Sequence, residues 1–393
     1  MALKRVAFAV IAAVLIGIVV ASVILIVARG RLWNWYYTAT PAPIHTAQSS
    51  TPVTTTTRMV YVSLSGPRGS MKSLLDSVCG KSSNLLVILY LKTKPNATFV
   101  KMVQRVFDNV LSRYAKLSAP VGVCLVNVSK EPSLLREVET YSYPVVALAL
   151  RGSVSKELYN LFNNVSGLLI AKETLTSYLL GRLTQYLPYE SIPVETRVEP
   201  RIDNATPVLG SRSAPVYLFI YEDSHCPYCA MFYHETMPSL LKLVKEGKLA
   251  IVFKNLIVHP QSLEQHVYIE AMYLATRNAS AVLYVMEHIY SRLYDTCFVK
   301  NQCYENTVDK EISDAYVFSL IERASGLKIS QLQKYVNESK EIIQYDTNEA
   351  LRYGISGTPG FIIWNREKQY GLIVVGVHSP ESMISLINKV LSN

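Results

Sequence analysis

Cys226 and Cys229, in the run Cys226-Pro227-Tyr228-Cys229, follow directly on the apolar strand pattern VYLFIY (216–221). Residues three apart on a helix share a face, within reach of a disulfide. Pro227 suits a first helical turn, where its missing N–H is no loss, so the helix is expected to open there. Cys226 then stands at the helix N-terminus, where unpaired N–H groups and the helix dipole favour a thiolate. Such a thiolate attacks or leaves readily in thiol–disulfide exchange, and Cys229, one turn further in and more buried, resolves the mixed disulfide. His225 precedes the nucleophile and is expected to add positive charge, lowering its pKa further. The competing reading is half a zinc site completed by Cys297 and Cys303. Zinc pairs sit on knuckle turns, and the Cys297-x5-Cys303 spacing is poor for ligands, so no metal is expected and the dithiol chemistry needs no cofactor.

The elements that must hold this pair are legible from hydrophobic patterning. A helix is expected from Pro227 to about Gly247, then the strand LAIVFKNL (249–256). From about Leu263 to Tyr353 the pattern is helical with no strand candidate, an insertion over about 263–353. The sheet resumes with Gly-Thr-Pro-Gly (357–360), FIIW and GLIVVGV, and closes on the helix SPESMISLINKVLS. Upstream, residues 59–188 also alternate. The strands there are RMVYVSL (58–64), NLLVILYL (84–91), VGVCLVNV (121–128) and VVALAL, opened by Tyr143-Pro144. Helices are expected from about Ala97 to Leu117, near 131–141 and over roughly 173–186. Residues 189–213 contain three prolines and little periodicity and read as a linker.

From Ala214 onward the chain resembles the DsbA-like, thioredoxin-fold disulfide oxidoreductases. The resemblance rests on VYLFIYEDSHCPYC, on LAIVFKNL leading to HPQS, on the helical insertion and on GISGTPGFIIW. It implies Cys226 as nucleophile, Cys229 as resolving cysteine and Pro359 as a cis-proline set against the disulfide, with the backbone of Thr358 exposed to pair with an extended substrate. An ordinary edge-strand proline is the plainer alternative. Pro227 and Tyr228 fall between the cysteines and are expected to tune them or to touch substrate. Cys-Pro-Tyr-Cys is also similar to the glutaredoxin motif, but that family lacks the helical insertion. Many DsbA-like relatives carry a buried acid in the strand before the motif, where this chain has Ile220. Glu222 or Asp223 would take its place, although solvated turn residues is the preferred reading of both. Residues 59–188 resemble a thioredoxin-like domain without its motif, since Lys92-Thr93-Lys94-Pro95-Asn96-Ala97 stands where the cysteines belong. A supporting role in binding or orienting substrate is expected of it. The fold class is therefore α/β: two tandem thioredoxin-like domains, 59–188 and 214–393, after one N-terminal transmembrane helix.

That helix is Val6 to Ala28, 23 consecutive uncharged residues. At 1.5 Å per residue they span roughly 34 Å, enough for a bilayer core and too long for a signal peptide. Arg29 and Arg31 end the run, and Trp33, Trp35, Tyr36 and Tyr37 follow at the depth of an aromatic belt. Residues 29–58 form a stalk whose Ser/Thr/Pro-rich part cannot build a core. Six Asn-x-Ser/Thr sequons begin at Asn96, Asn127, Asn164, Asn204, Asn278 and Asn337, in keeping with soluble domains on the extracytoplasmic side of a cell membrane. The net charge is +9, of which Lys4, Arg5, Arg29, Arg31 and Arg58 supply five, so the rest shows no basic stripe and nucleic acid is excluded as a partner. The expected partners are folding proteins with thiols and a membrane redox protein. Cys79 with Cys124, as a disulfide or as buried thiols, and Cys297 with Cys303, as a local disulfide, are expected to be structural. His259, His266, His288 and His378 are scattered and read as satisfied histidines. Tyr268, Tyr273, Tyr284, Tyr290, Tyr294 and Phe298 recur at helical spacing and read mostly as core.

Overall fold

The structure, a computed structural model, describes residues 59–63, 79, 84–117, 121–130, 140–150, 152–165, 168–172, 175, 179 and 194–392. The expected anchor over 6–28 and stalk over 29–58 lie outside the described residues, as do nearly all of the helices expected near 131–141 and over 173–186. Among the described residues no helix is long and apolar enough to cross a membrane.

The first sheet is built from β1 (Met59–Ser63), β2 (Asn84–Tyr90), β4 (Val121–Asn127), β5 (Val145–Ala149), β7 (Phe162–Val165) and β8 (Leu168–Ala171), in the order β1-β4-β2-β5-β8-β7. β1, β4 and β2 run parallel, and β5, β8 and β7 continue antiparallel. α1 (Ala97–Tyr114) crosses between β2 and β4. It stops before the expected Leu117 because β3 (Ala115–Leu117) pairs with β6 (Gly152–Val154). The β7–β8 hairpin was not expected. Its strands are four residues each and Asn163 and Asn164 are exposed, so β7 carries no alternating pattern.

The second sheet has the order β10-β12-β11-β13-β14-β9. Its centre is β11 (Val216–Glu222), parallel to β12 (Leu249–Asn255) and antiparallel to β13 (Gly360–Asn365), which pairs with β14 (Tyr370–Val375). The edge strands β9 (Val194–Thr196) and β10 (Val208–Leu209) come from the segment expected to be a linker. That expectation is corrected: at three and two residues these strands are too short to show a period, and Pro207 immediately precedes one of them.

The helix expected over 227–247 is two, α2 (Pro227–Glu235) and α3 (Met237–Lys245). Pro238 cannot donate to the carbonyl four residues back, and its ring crowds that group. At the break the Thr236 hydroxyl donates to the His378 carbonyl at 2.7 Å. The insertion is α4 (Leu263–Thr276), α5 (Ala279–Tyr294), α6 (Glu305–Glu311), α7 (Asp314–Ser325) and α8 (Val336–Arg352), and α9 (Pro380–Ser392) closes the chain.

β11 is buried along its whole length. Val216, Leu218 and Ile220 face the cluster that holds the insertion, Cys226 and Cys229. Tyr217, Phe219 and Tyr221 face the other way, in one cluster with Leu86, Ile88 and Phe107 of the first sheet unit. The two units share a core rather than a tether. A buried carboxylate fastens the seam. Glu195 of β9 accepts from Lys92 N at 2.9 Å, Thr93 N at 3.0 Å, the Thr93 hydroxyl at 2.7 Å and the Tyr370 hydroxyl at 2.9 Å. Its backbone exchanges two 2.7 Å hydrogen bonds with Tyr143. Stranding such donors costs about 1–3 kcal/mol each. Glu195→Ala is therefore expected to lower the unfolding free energy by about 2–4 kcal/mol, and Glu195→Gln, which keeps one acceptor oxygen, by less. Urea unfolding midpoints at constant slope measure both; an unchanged midpoint for the alanine variant would deny the seam its weight.

Candidate dithiol site

β11 delivers the chain to a turn, Asp223 to Cys226, and α2 begins at Pro227 with Cys226 as its N-cap. Asp223 is buried and organises this turn. One carboxylate oxygen accepts from His225 N at 2.8 Å; the other accepts from Val258 N at 2.7 Å and His259 N at 2.8 Å, with His259 Nδ1 at 3.3 Å. Its carbonyl accepts from Cys226 N and from the Tyr290 hydroxyl, both at 3.0 Å. Burial pushes the Asp223 pKa up, but the His259 contacts and the nearby His266 outweigh it and hold the carboxyl below its ordinary value.

The Cys226 thiol, 3% exposed, donates to the Thr358 carbonyl at 3.3 Å, and the Thr358–Pro359 peptide bond is cis. Cys229 lies behind it, fully buried. The Cys226 thiol is pulled down to about 7 by its hydrogen bond with Cys229, against its burial and with help from Thr358. Burial pushes the Cys229 thiol well up. The pair is thus asymmetric: a thiol that ionises near neutral pH at the helix start and one that stays protonated at its back. Pro227 occupies the first helical position and Tyr228 is 59% exposed beside it.

His225 does not do what its position suggested. It is buried, its Nδ1 3.3 Å from the Ser224 hydroxyl and its Nε2 3.6 Å from Asp309, and burial lowers its pKa. It is neutral at pH 7 and adds no positive charge. The histidine whose pKa is raised is His259, by its contact with Asp223, against its burial, and further by the charges of Asp223 and Cys226. His266 is fully buried and lowered to about 4. Its Nε2 accepts from Ser224 N at 2.9 Å, so Nδ1 carries the proton toward Asn255 Oδ1 at 2.8 Å.

Glu222 and Asp223 are not solvated turn residues. Glu222 is 2% exposed; its Oε1 accepts from the Tyr233 hydroxyl at 3.1 Å, and its Oε2 has no partner. Burial pushes its pKa up to about 8. The signal was strand parity: Glu222 lies two residues after Ile220, on the same face of a strand buried throughout.

Cys79 and Cys124 are joined with Cα atoms 6.0 Å apart, Cys297 and Cys303 with Cα atoms 4.2 Å apart. No cluster able to hold a metal ion occurs among the described residues. His288 Nδ1 meets the Tyr284 carbonyl at 2.8 Å, and His378 Nδ1 lies 3.3 Å from the Ser382 hydroxyl. Tyr268, Tyr273 and Tyr290 are core, Tyr284 and Tyr294 pack partly buried against it, and Phe298 is exposed. In the first unit the cysteine-less loop at Lys92 and Thr93 is covered by Glu195, and Tyr143–Pro144 is a second cis bond.

Residues 203–388 match the thioredoxin family model. The chain is similar to oxidised BdbD from Bacillus subtilis (16% identity over 48% of this chain and 94% of that one, TM-score 0.39). It is similar also to the catalytic domain of Proteus mirabilis ScsC (18%, over 49% and 92%, TM-score 0.35). A third similar structure is alpha-DsbA1 of Wolbachia pipientis (16%, over 50% and 94%, TM-score 0.37). No curated protein matches. The C-terminal part of the chain has a thioredoxin-like α/β fold.

In the reduced chain, alkylation of Cys226 by iodoacetamide is expected to titrate with a midpoint near 7 while Cys229 stays unmodified until the protein unfolds. Peptide mass analysis after a pH series reads both; equal reactivity of the two thiols would contradict the asymmetry.

Proposed function

We propose that this chain is a thiol:disulfide oxidoreductase, anchored in a cell membrane by residues 6–28, that donates disulfides to folding proteins on the extracytoplasmic side. One observation carries the chemistry: a thiol at a helix N-terminus, 3.3 Å from the carbonyl before a cis-proline, with a buried second thiol behind it. A substrate thiolate attacks Cys226 Sγ of the Cys226–Cys229 disulfide, and that S–S bond breaks as the mixed disulfide forms. Cys229 leaves into a pocket where burial disfavours its thiolate, so it takes a proton, and Glu222, protonated near neutral pH, is placed to give it. A second substrate thiolate attacks the substrate sulfur and releases Cys226 as a stabilised thiolate. Two electrons have moved from substrate to the dithiol, and a membrane redox partner removes them. The first unit repeats β-α-β and a cis-proline strand without the Cys-x-x-Cys motif, which supports reading it as a thioredoxin-like domain in a supporting role.

A second reading, a reductase or isomerase of the same fold, is favoured by the Cys226 value of about 7. Strong oxidants of this chemistry hold their thiolate nearer about 3.5. Equilibration of the full chain in detergent with glutathione separates them: a potential near about −120 mV supports donation, one near about −270 mV the reductase. No equilibration leaves only a non-catalytic polypeptide-binding holdase, whose aggregation suppression Cys226→Ser would spare. Glu222→Gln is expected to slow disulfide donation by about 100-fold. The acid form of Glu222 is the donor, so the Glu222-dependent part of the rate falls as pH rises through about 8. Stopped-flow rates against pH for both proteins check this.

A further inference from the structure

Beside Glu222 lies a narrow cavity of about 10 Å³, lined among others by Glu222, Glu270, His266, Asn255, Lys254 and Met286. Glu270 comes from α4 of the insertion and is 3% exposed. Its Oε2 accepts from Asn255 Nδ2 at 3.1 Å, while its Oε1 has no partner. Glu222 Oε2, in the same wall, has none either. Buried polar atoms without partners are rare, and an ordered water is the usual answer where the site is polar and has about 10–15 Å³ for it, so this cavity has room for a single water.

The charges around the cavity give the two carboxyls different work. Lys254 is committed to Asp346 at 2.8 Å and Glu349 at 3.0 Å. Its field still favours the Glu270 anion, whereas Glu222 faces Cys226, Asp223 and the hydroxyls of Tyr233 and Tyr290. Asp346 and Asp203 oppose the Glu270 charge, and His266 beside it stays neutral. Burial, first of all, brings Glu270 to about 8, so near neutral pH it holds a proton that no hydrogen bond among the described residues uses.

We propose that Glu270 is a positioning residue for the proton traffic of the dithiol, joined to Glu222 by water in the shared cavity and reloading it after each turnover. The inference rests on the oxidoreductase reading above. When Cys229 leaves, Glu222 gives it a proton and becomes a carboxylate. The water passes a proton to Glu222 and takes one from Glu270, so only O–H bonds are exchanged and the negative charge moves from the dithiol to Glu270. Glu270 regains its proton from solvent through the cavity mouth.

The test uses the full chain in detergent with Glu270→Gln and Glu222→Gln. Redox-difference infrared spectra of the wild type should contain the C=O stretch of protonated Glu270, lost in Glu270→Gln and unresponsive to redox state in Glu222→Gln. Disulfide donation by Glu270→Gln should slow about tenfold near neutral pH, with an altered pH–rate profile and an unchanged Cys226 titration. A wild-type pH profile in Glu270→Gln, or a Glu270 band indifferent to redox state in the wild type, overturns the proposal. Should the wild type not exchange disulfides at all, the oxidoreductase reading falls by itself. The pH titration of the Glu270 band then decides the pairing: a shift in Glu222→Gln supports it, an unshifted band overturns it. These wild-type and Glu222→Gln measurements stand even where Glu270→Gln fails to fold.

Discussion

The dithiol depends on a single carboxylate. Asp223 receives the backbone N–H groups of His225, Val258 and His259, and its own carbonyl receives Cys226 N and the Tyr290 hydroxyl. It thereby ties the end of β11, the start of α2, the loop after β12 and α5 into one rigid corner. The same charge disfavours a thiolate at Cys226. The hydrogen bond with Cys229, first of all, outweighs burial and this charge and brings the thiol down to about 7.

The helical insertion completes the corner. A sheet with one helix layer leaves the polar ends of β11 and β12 open, and the insertion lays its own polar residues against them. His266 accepts from Ser224 N, and Gln265 accepts from the Ser224 hydroxyl at 2.8 Å. Asp346 and Glu349 of α8 neutralise Lys254 of β12, while Asp346 also accepts from Asn255 N at 3.1 Å and Glu349 from the Tyr221 hydroxyl at 2.9 Å. Buried ion pairs add little net stability because desolvation offsets their attraction. Their effect here is register, since α8 satisfies Lys254 in only one position along β12.

Much of this was legible in the sequence where the signal was long or chemically rare. Cys226 and Cys229 stand out because a strand pattern runs straight into a proline-led helix, and the insertion because some ninety residues show no strand pattern. Short and contextual features were not. β9 and β10 are three and two residues held by pairing partners far away in sequence, and no local period reports them. The sign of His225 depends on burial supplied by distant elements, so its adjacency to Cys226 misleads. The acid at Glu222 was within reach, since parity with Ile220 on a buried strand already places it inward.

The two cis-proline positions show how one geometry serves opposite ends. Tyr143, before Pro144, forms a two-way backbone bridge with Glu195, whose carboxylate also caps Lys92 and Thr93. That edge of the first unit is filled by a strand of its own chain. Thr358, before Pro359, is paired by no strand of the described residues, and its carbonyl instead meets the Cys226 thiol. Where the Cys226 thiol meets the Thr358 carbonyl, the first unit presents to Glu195 the backbone N–H groups of Lys92 and Thr93 and the Thr93 hydroxyl.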